Sequence, residues 1–181
     1  MFNLFKKKAS APPIRDVVWL SNAAKKKAGL ELILKAQNPL LIAWFEESIQ
    51  DWRTFFESEG ASFSIETAPY VQALEVKDRS VFLLEHHPLA SRETKVMQHW
   101  KPAALTAFVS LEEPLLKLFG GDNLIALVQK MGLAENESLE HSLISRSIRN
   151  AQEKLDKKVT HELLVDSVEE WFKVNVEKHS K

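Results

Sequence analysis

The run Leu40-Leu-Ile-Ala-Trp-Phe45 is continuous and apolar, and it is followed by a fifteen-residue segment, Glu46–Gly60, and by Ser62-Phe-Ser-Ile-Glu-Thr67. Apolar runs of this length are typical of strands buried on both faces of a parallel sheet. The middle segment places apolar residues, among them Ile49 and Trp52, at steps of three and four, which indicates one apolar helix face. The last segment alternates polar and apolar residues and predicts another strand. Together they predict a strand–helix–strand unit, with a right-handed crossover if the strands are parallel.

The rest of the chain continues this alternation. Ser21 is a good N-cap for a helix after the short β-branched and aromatic run Val17-Val-Trp-Leu20. We predict strands at 17–20, 40–45, 62–67, 80–84 and 105–111, and helices at 22–36, 46–60, 89–99, 112–119, 122–131 and 138–178. Gly120-Gly121 is expected to be a turn between two helices. The order predicts an α/β domain with a helical C-terminal extension.

Composition excludes several classes of protein. The 181 residues fit one domain of about 150 residues with a helical appendage. A formal net charge of -1 argues against a dedicated nucleic-acid binder. The chain has no cysteine, so it has no disulfide, no thiolate nucleophile and no thiolate metal ligand. No segment is apolar and long enough to span a bilayer, and the start does not resemble a secretory signal, so we expect a cytoplasmic protein.

The charge is unevenly distributed along the chain. Residues 1–38 carry eight Lys/Arg and two Asp/Glu, whereas residues 39–93 carry four and ten. Either the basic first helix lies near the acidic middle segment, or it forms a basic surface for an acidic partner or an anionic membrane. We expect residues 1–13 to be a flexible basic tail. The alternative is a weak peripheral membrane contact through residues 1–8, where apolar side chains stand beside three lysines.

The candidate site follows the predicted strand at 80–84. The candidate residues Glu85, His86, His87 and Arg92 are close in sequence, with Glu93 beside them, and ligands of open α/β sheets bind at the carboxyl ends of strands. A small-ligand pocket there is one interpretation, and a loop of internally satisfied histidines is the other, because adjacent residues on an extended chain point to opposite sides. No Gly-x-x-x-x-Gly-Lys-Ser/Thr or Gly-x-Gly-x-x-Gly motif occurs, and no spacing indicates a metal site or a catalytic group.

The second half resembles the second motor domain of the SecA family. Leu105–Phe119, Leu127–Leu133, Ser138-Leu-Glu-His141 and Ile144–Lys154 follow one another. In the family, an aromatic strand likewise precedes Ser-Leu/Met-Glu-Asp, a Gly-Met/Leu turn, Ile-Glu-His and Ala-Ile-x-Asn-Ala-Gln-x-Lys. The most specific part is Asn150-Ala-Gln-x-Lys154 with Glu140-His141. Upstream, Glu85–Arg92 is similar to the family's Glu-Arg-His-Glu-Ser-Arg-Arg with a two-residue offset, and the resemblance covers about residues 14–160.

The departures from the family concern ATP hydrolysis. Ala68–Arg79 stands where the family has Gly-Arg-Gly-Thr-Asp, and Gln98–Ala104 stands where Gly-Arg-x-Gly-Arg-x-Gly supplies arginines to the γ-phosphate. The first motor domain, with its P-loop, has no counterpart in the sequence. The resemblance therefore implies a RecA-like domain over residues 14–120, a helical extension packed on it over 121–181, and no ATPase activity or cofactor.

The function that this resemblance implies is a non-catalytic protein-binding or regulatory module linked to protein export. Its partner would be the translocase motor, a protein substrate or another copy of the chain. The alternative is a small-ligand-binding protein or enzyme with a pocket near Glu85–Arg92.

Overall fold

The strands of this chain pair into one parallel sheet. The computed structural model describes residues 14–118, 134 and 137–177. Within them the strands are β1 (Ile14–Trp19), β2 (Pro39–Ala43), β3 (Ile65–Thr67), β4 (Ser80–Leu83) and β5 (Leu105–Ser110). They lie in the order β1-β5-β4-β2-β3, and each pairing is parallel. The predicted α/β class is confirmed, and the arrangement is the three-layer RecA-like one.

Helices cover both faces of this sheet. They are α1 (Asn22–Lys35), α2 (Glu46–Ser58), α3 (Ala73–Val76), α4 (Ala90–Trp100), α5 (Pro114–Lys117), α6 (Ser142–Lys158) and α7 (Val168–Phe172). A 3-10 turn spans Ala68–Tyr70, and a π-helical turn spans Lys173–Glu177. None of the described helices is both long and apolar enough to cross a membrane.

The face covered by α1 and α2 is built around aromatic side chains. Trp52 and Phe56 of α2 are buried against Trp19 and Phe108 of the sheet, as expected from alternating strand residues. α1 approaches the sheet closely at Gly29, where an added Cβ would lie 3.0 Å from the Phe108 ring. The helix begins as predicted, because the Ser21 hydroxyl accepts a hydrogen bond from the third residue of the helix.

The opposite face is shared by α3 and α4 at one end and by the C-terminal helices at the other. α6 buries Ile144, Ile148, Ala151 and Leu155, a helical stripe that packs on the same face as Val109 of β5. Upstream of α6, the segment 137–141 reaches the edge of the sheet. There Leu139 forms an antiparallel bridge with Val18, with N–O distances of 2.7 and 3.1 Å.

The basic first helix meets the acidic middle segment. Lys26 of α1 lies 2.5 Å from the Asp51 carboxylate of α2, and its ammonium is 5.9 Å from the centre of the Phe55 ring. The buried Lys25 pairs with Glu113 at 2.8 Å. The Lys26–Asp51 pair therefore joins the basic first helix to the acidic segment 39–93, as the simpler of the two interpretations expects, whereas Glu113 lies outside that segment.

The predicted helix over 138–178 is wrong. α6 ends at Lys158, the backbone at Val159 is extended, and helical structure resumes only where the Ser167 hydroxyl caps α7. The sequence patterns also missed α3 and the turn at 68–70. The predicted helix at 122–131, the turn at Gly120-Gly121 and the tail at 1–13 lie outside the described residues, as does the proposed boundary at 120.

Candidate functional site

A cleft opens at the carboxyl ends of the strands, on the side of α1 and α2. This strand-end cleft has a volume of about 270 Å³. Of the four predicted site residues, Glu85 and His86 line it. Arg92 lines a separate groove beside α4, and His87 lines neither of the two. The four side chains therefore do not converge on one ligand position. The other polar residues of the strand-end cleft are Asn22, Lys25, Lys26, Glu47, Ser48, Asp51, Glu113 and Glu169.

Glu85 closes the cleft at its buried end. One carboxyl oxygen accepts hydrogen bonds from the backbone N–H groups of Trp44 (2.9 Å) and Phe45 (3.2 Å), and the other accepts from the Ser48 hydroxyl at 2.5 Å. Burial raises the pKa of Glu85 to about 7, although the Ser48 hydrogen bond and the charge of Lys25 act in the opposite direction. The side chain is therefore poised to change charge near neutral pH.

His86 is held between two carboxylates beneath the strand ends. Its Nδ1 lies 2.8 Å from Glu93 of α4, and its Nε2 lies 3.0 Å from Asp16 of β1. Burial alone lowers the pKa of His86, but the charges and hydrogen bonds of Glu93 and Asp16 outweigh it and hold the pKa well above its ordinary value. The three side chains form a buried ionic cluster that joins β1 to α4.

His87 points away from His86 into an aromatic cage. Its Nδ1 accepts a hydrogen bond from the Leu89 N–H at 2.9 Å, so its Nε2 carries the proton and faces Glu162 at 3.2 Å. The imidazole is stacked on Phe45 with 5.9 Å between ring centres, and it meets Trp44 edge to face at 4.8 Å. These contacts satisfy His87 within the fold.

Glu162 contacts the other two predicted site residues, His87 and Arg92. One carboxyl oxygen accepts from the Trp171 indole N–H at 2.8 Å and faces His87, and the other accepts from the Arg92 guanidinium at 2.5 Å. Burial raises the pKa of Glu162, but the hydrogen bonds from His87 and Trp171 outweigh this and lower the pKa to about 2. A carboxylate that is ionised near neutral pH therefore ties segment 159–167 to α4.

Two helices that begin at the carboxyl edge of the sheet donate backbone N–H groups of their first turn to the chain's own carboxylates. Glu112 accepts from the Asn22 N–H of α1 at 2.8 Å, and Asp156 accepts from the Ser91 N–H of α4 at 2.9 Å. Glu85 accepts instead from Trp44 and Phe45, whose N–H groups lie in the connection before α2. Helix N-termini bind phosphates in many α/β proteins, so a phosphate at these positions has to displace a carboxylate first.

Of the residues that satisfy the histidines, the sequence patterns pointed to Glu93 but missed Asp16 and Glu162. Asp16 carries a faint signal, because it is a charged residue directly before the predicted strand at 17–20. Glu162 carries none, because it follows Arg92 by 70 residues. Within the described part of the chain, no group of three or more His, Asp or Glu side chains is placed to hold a metal ion.

Comparison with known proteins finds similarity to SecA. The chain is 47% identical over 55 residues to protein translocase subunit SecA 1 of Alkaliphilus metalliredigens, which is 30% of this chain and 6% of that protein. Identity over the same length is 47% with SecA of Desulforapulum autotrophicum and 44% with SecA of Acinetobacter baumannii. This chain contains a SecA-like region. The matched part is a small fraction of each SecA, and no protein-family model matches the chain.

Proposed function

We propose that this chain is a non-catalytic domain, related to the second motor domain of SecA, that binds protein partners and regulates or assists protein translocation. The link to translocation is supported by the SecA-like region of 55 residues. The resemblance read from the sequence is strongest over residues 105–154, which include β5, α5 and most of α6.

The observation that carries the non-catalytic part is the binding of helix N-termini by internal carboxylates. At α1 the donor is occupied by Glu112, and Lys25 in the same helix is paired with Glu113. These two carboxylates belong to Ser110-Leu-Glu-Glu113, part of the stretch that resembles SecA. Phosphoryl transfer depends on cations and backbone donors around the phosphates. Here those groups have anionic partners, which favours a structural role for the motif.

The SecA-like residues of the C-terminal half also make framework contacts. Glu140 pairs with Arg15 of β1, with a shortest N–O distance of 2.5 Å. The Gln152 amide donates to the His87 carbonyl at 2.8 Å in the interior. A binding module needs such a framework but not a reactive group, and this supports the same proposal.

Binding to purified SecA tests the proposal directly. The full chain is titrated against immobilised SecA by biolayer interferometry, with an unrelated ATPase as the control surface, and a tagged chain is used for pull-down from the native cell. Saturable binding to SecA and recovery of the export motor are the expected results. Failure to bind, together with a pull-down that recovers only unrelated partners, contradicts the translocation link. ATP hydrolysis by the purified chain contradicts the non-catalytic part.

A small-ligand pocket is the second candidate, favoured by the strand-end cleft itself. Ser48 is half-buried and Glu85 is buried there, and their hydroxyl and carboxyl groups share the cleft with two lysines, Lys25 and Lys26. Thermal-shift measurements with nucleotides and metabolites, on wild type and on Ser48→Ala, test it. Arg92→Ala is the matched control because Arg92 lies outside this cleft. A ligand shift that is lost in Ser48→Ala and kept in Arg92→Ala supports the pocket, and no shift with any compound leaves it without support.

A further inference from the structure

A second depression in the surface lies between α4 and the turn at 68–71. We refer to it as the α4 groove. Its volume is about 210 Å³, and its apolar surface comes from Trp44, Ala68, Pro69, Val71, Val96 and Trp100. Ligand pockets for drug-sized molecules usually measure about 300 Å³ or more. The α4 groove is therefore better matched to one large apolar side chain than to a cofactor.

Contacts within the chain itself fix the walls of the α4 groove in the unbound protein. The Trp100 indole N–H donates to the Val71 carbonyl at 3.0 Å and connects the end of α4 to the opposite wall. Arg92, at the other end, is fixed by Glu162 through two nitrogens at 2.5 Å. A preformed groove loses little conformational freedom on binding, and this favours recognition of a partner.

One wall of the α4 groove is basic. Arg92, Lys95 and His99 follow one another at steps of three and four residues, so they lie along one face of α4. None of the residues that line the groove is acidic. This holds although several of them come from residues 39–93, a segment with ten Asp/Glu and only four Lys/Arg. Because Arg92 is already paired with Glu162, the exposed Lys95 and His99 are the groups that a partner meets.

The positive charge of this wall favours an acidic peptide over a basic one as the ligand of the groove. The chain's own first residues contain apolar side chains but also Lys6-Lys-Lys8, which the basic wall repels. An acidic segment is attracted, and an aromatic or aliphatic side chain in it fills the apolar floor. Tyr70, next to Pro69 in sequence, is 78% exposed and offers a further aromatic contact at the surface. Aromatic anchors in small pockets with charged rims are typical of protein interfaces.

We propose that the α4 groove binds an acidic peptide segment of a partner protein, with one large apolar side chain seated against Trp44 and Trp100 and with carboxylates facing Lys95 and His99. This inference rests on the proposed protein-binding function and names the surface and the partner chemistry that serve it.

A displayed library of random peptides, selected on the full chain, tests the groove. The expected consensus has one aromatic or aliphatic residue flanked by Asp or Glu. A fluorescent peptide of that consensus should bind Lys95→Glu at least about fivefold more weakly than wild type, because reversing a charge replaces an attraction with a repulsion. Lys27→Glu is the matched control, since Lys27 is exposed on α1 across the sheet and its substitution changes the net charge equally. It should leave the affinity unchanged, and both variants should melt like wild type.

Selection of no consensus, or of one without acidic residues, overturns the proposal, and so does equal affinity for wild type and Lys95→Glu. The same variants separate this inference from the proposed link to SecA. If SecA binds wild type and Lys95→Glu equally while no acidic peptide is selected, the groove proposal fails and the translocation proposal stands. If the acidic peptide binds in a Lys95-dependent manner but SecA does not bind, the groove proposal stands and the translocation proposal fails.

Discussion

Replacing Glu85 with glutamine should make the protein less sensitive to alkaline pH. The carboxyl is buried, and its pKa is raised from an ordinary 4.5 to about 7. A raised pKa means that the folded state holds the proton more tightly than the unfolded chain. The stability contributed by Glu85 is therefore fully present below pH 4.5 and is lost as the pH rises towards and through 7.

The size of this effect follows from the two pKa values. We take a pKa of 4.5 for Glu85 in the unfolded chain and of about 7 in the folded state. Compared with acidic pH, the unfolding free energy that Glu85 contributes is then lower by about 1 kcal/mol at pH 5 and by about 3 kcal/mol at pH 8. Glutamine keeps the geometry, because its oxygen can accept from the Trp44 and Phe45 N–H groups while its amide donates to Ser48. Relative to wild type, the Glu85→Gln variant should therefore gain about 2 kcal/mol in unfolding free energy between pH 5 and pH 8.

Urea unfolding of both proteins at pH 5 and pH 8 measures this change. Comparing two pH values removes any constant cost of the substitution itself. Glu47→Gln is the matched control, since Glu47 lines the same cleft but is exposed, and it reports the removal of one negative charge there. An unfolding free-energy difference between wild type and Glu85→Gln that is the same at both pH values would refute the reasoning, because Glu85 would then be equally ionised in folded and unfolded chains.

Three further substitutions test the packing around the site. Asn175→Ala should cost about 2 kcal/mol in urea unfolding, because Asn175 binds both the N–H and the carbonyl of Leu163, at 2.7 and 3.0 Å. Gly29→Ala should lower Tm although alanine favours helix, because the new Cβ meets the Phe108 ring at 3.0 Å in the core. Glu162→Gln should lower the unfolding free energy by about 2 kcal/mol at pH 7. This difference between the variant and wild type should shrink between pH 5 and pH 3. The reason is that the carboxyl, with a pKa near 2 in the folded state, loses its stabilising effect as the carboxyl of the unfolded chain becomes protonated.

The strand–helix–strand unit could be predicted because its signals are local. An apolar run, a three-and-four spacing and an alternating segment each require only neighbouring residues, and they correspond to β2, α2 and β3. Placing Glu85 at the carboxyl edge of the sheet needed only the prediction of β4. The direction of each side chain after that strand could not be predicted, since it depends on partners in β1, α4 and segment 159–167.

The break between α6 and α7 shows the limit of local signals most clearly. Residues 142–177 contain no glycine or proline, and their apolar residues continue through the break, so nothing in the pattern ends the helix at Lys158. Tertiary contacts stabilise the non-helical segment between the two helices. Glu162 binds Arg92, Asn175 binds Leu163, and the Asp166 carbonyl accepts from the Glu47 N–H at 3.0 Å.

The contacts at the strand ends also bear on where a partner can bind. Glu112 and Asp156 bind the first turns of α1 and α4, and Glu85 binds the connection before α2. The His86 cluster lies beneath them, so part of the edge that serves ligands in other α/β proteins is used here to hold the fold together. Enlarging the strand-end cleft by displacing Glu85 or the His86 cluster requires breaking buried contacts, which are costly to leave unpaired. The α4 groove requires no such change, because its basic wall already faces solvent. We therefore expect protein binding on the helix surface beside α4, away from the strand-end cleft.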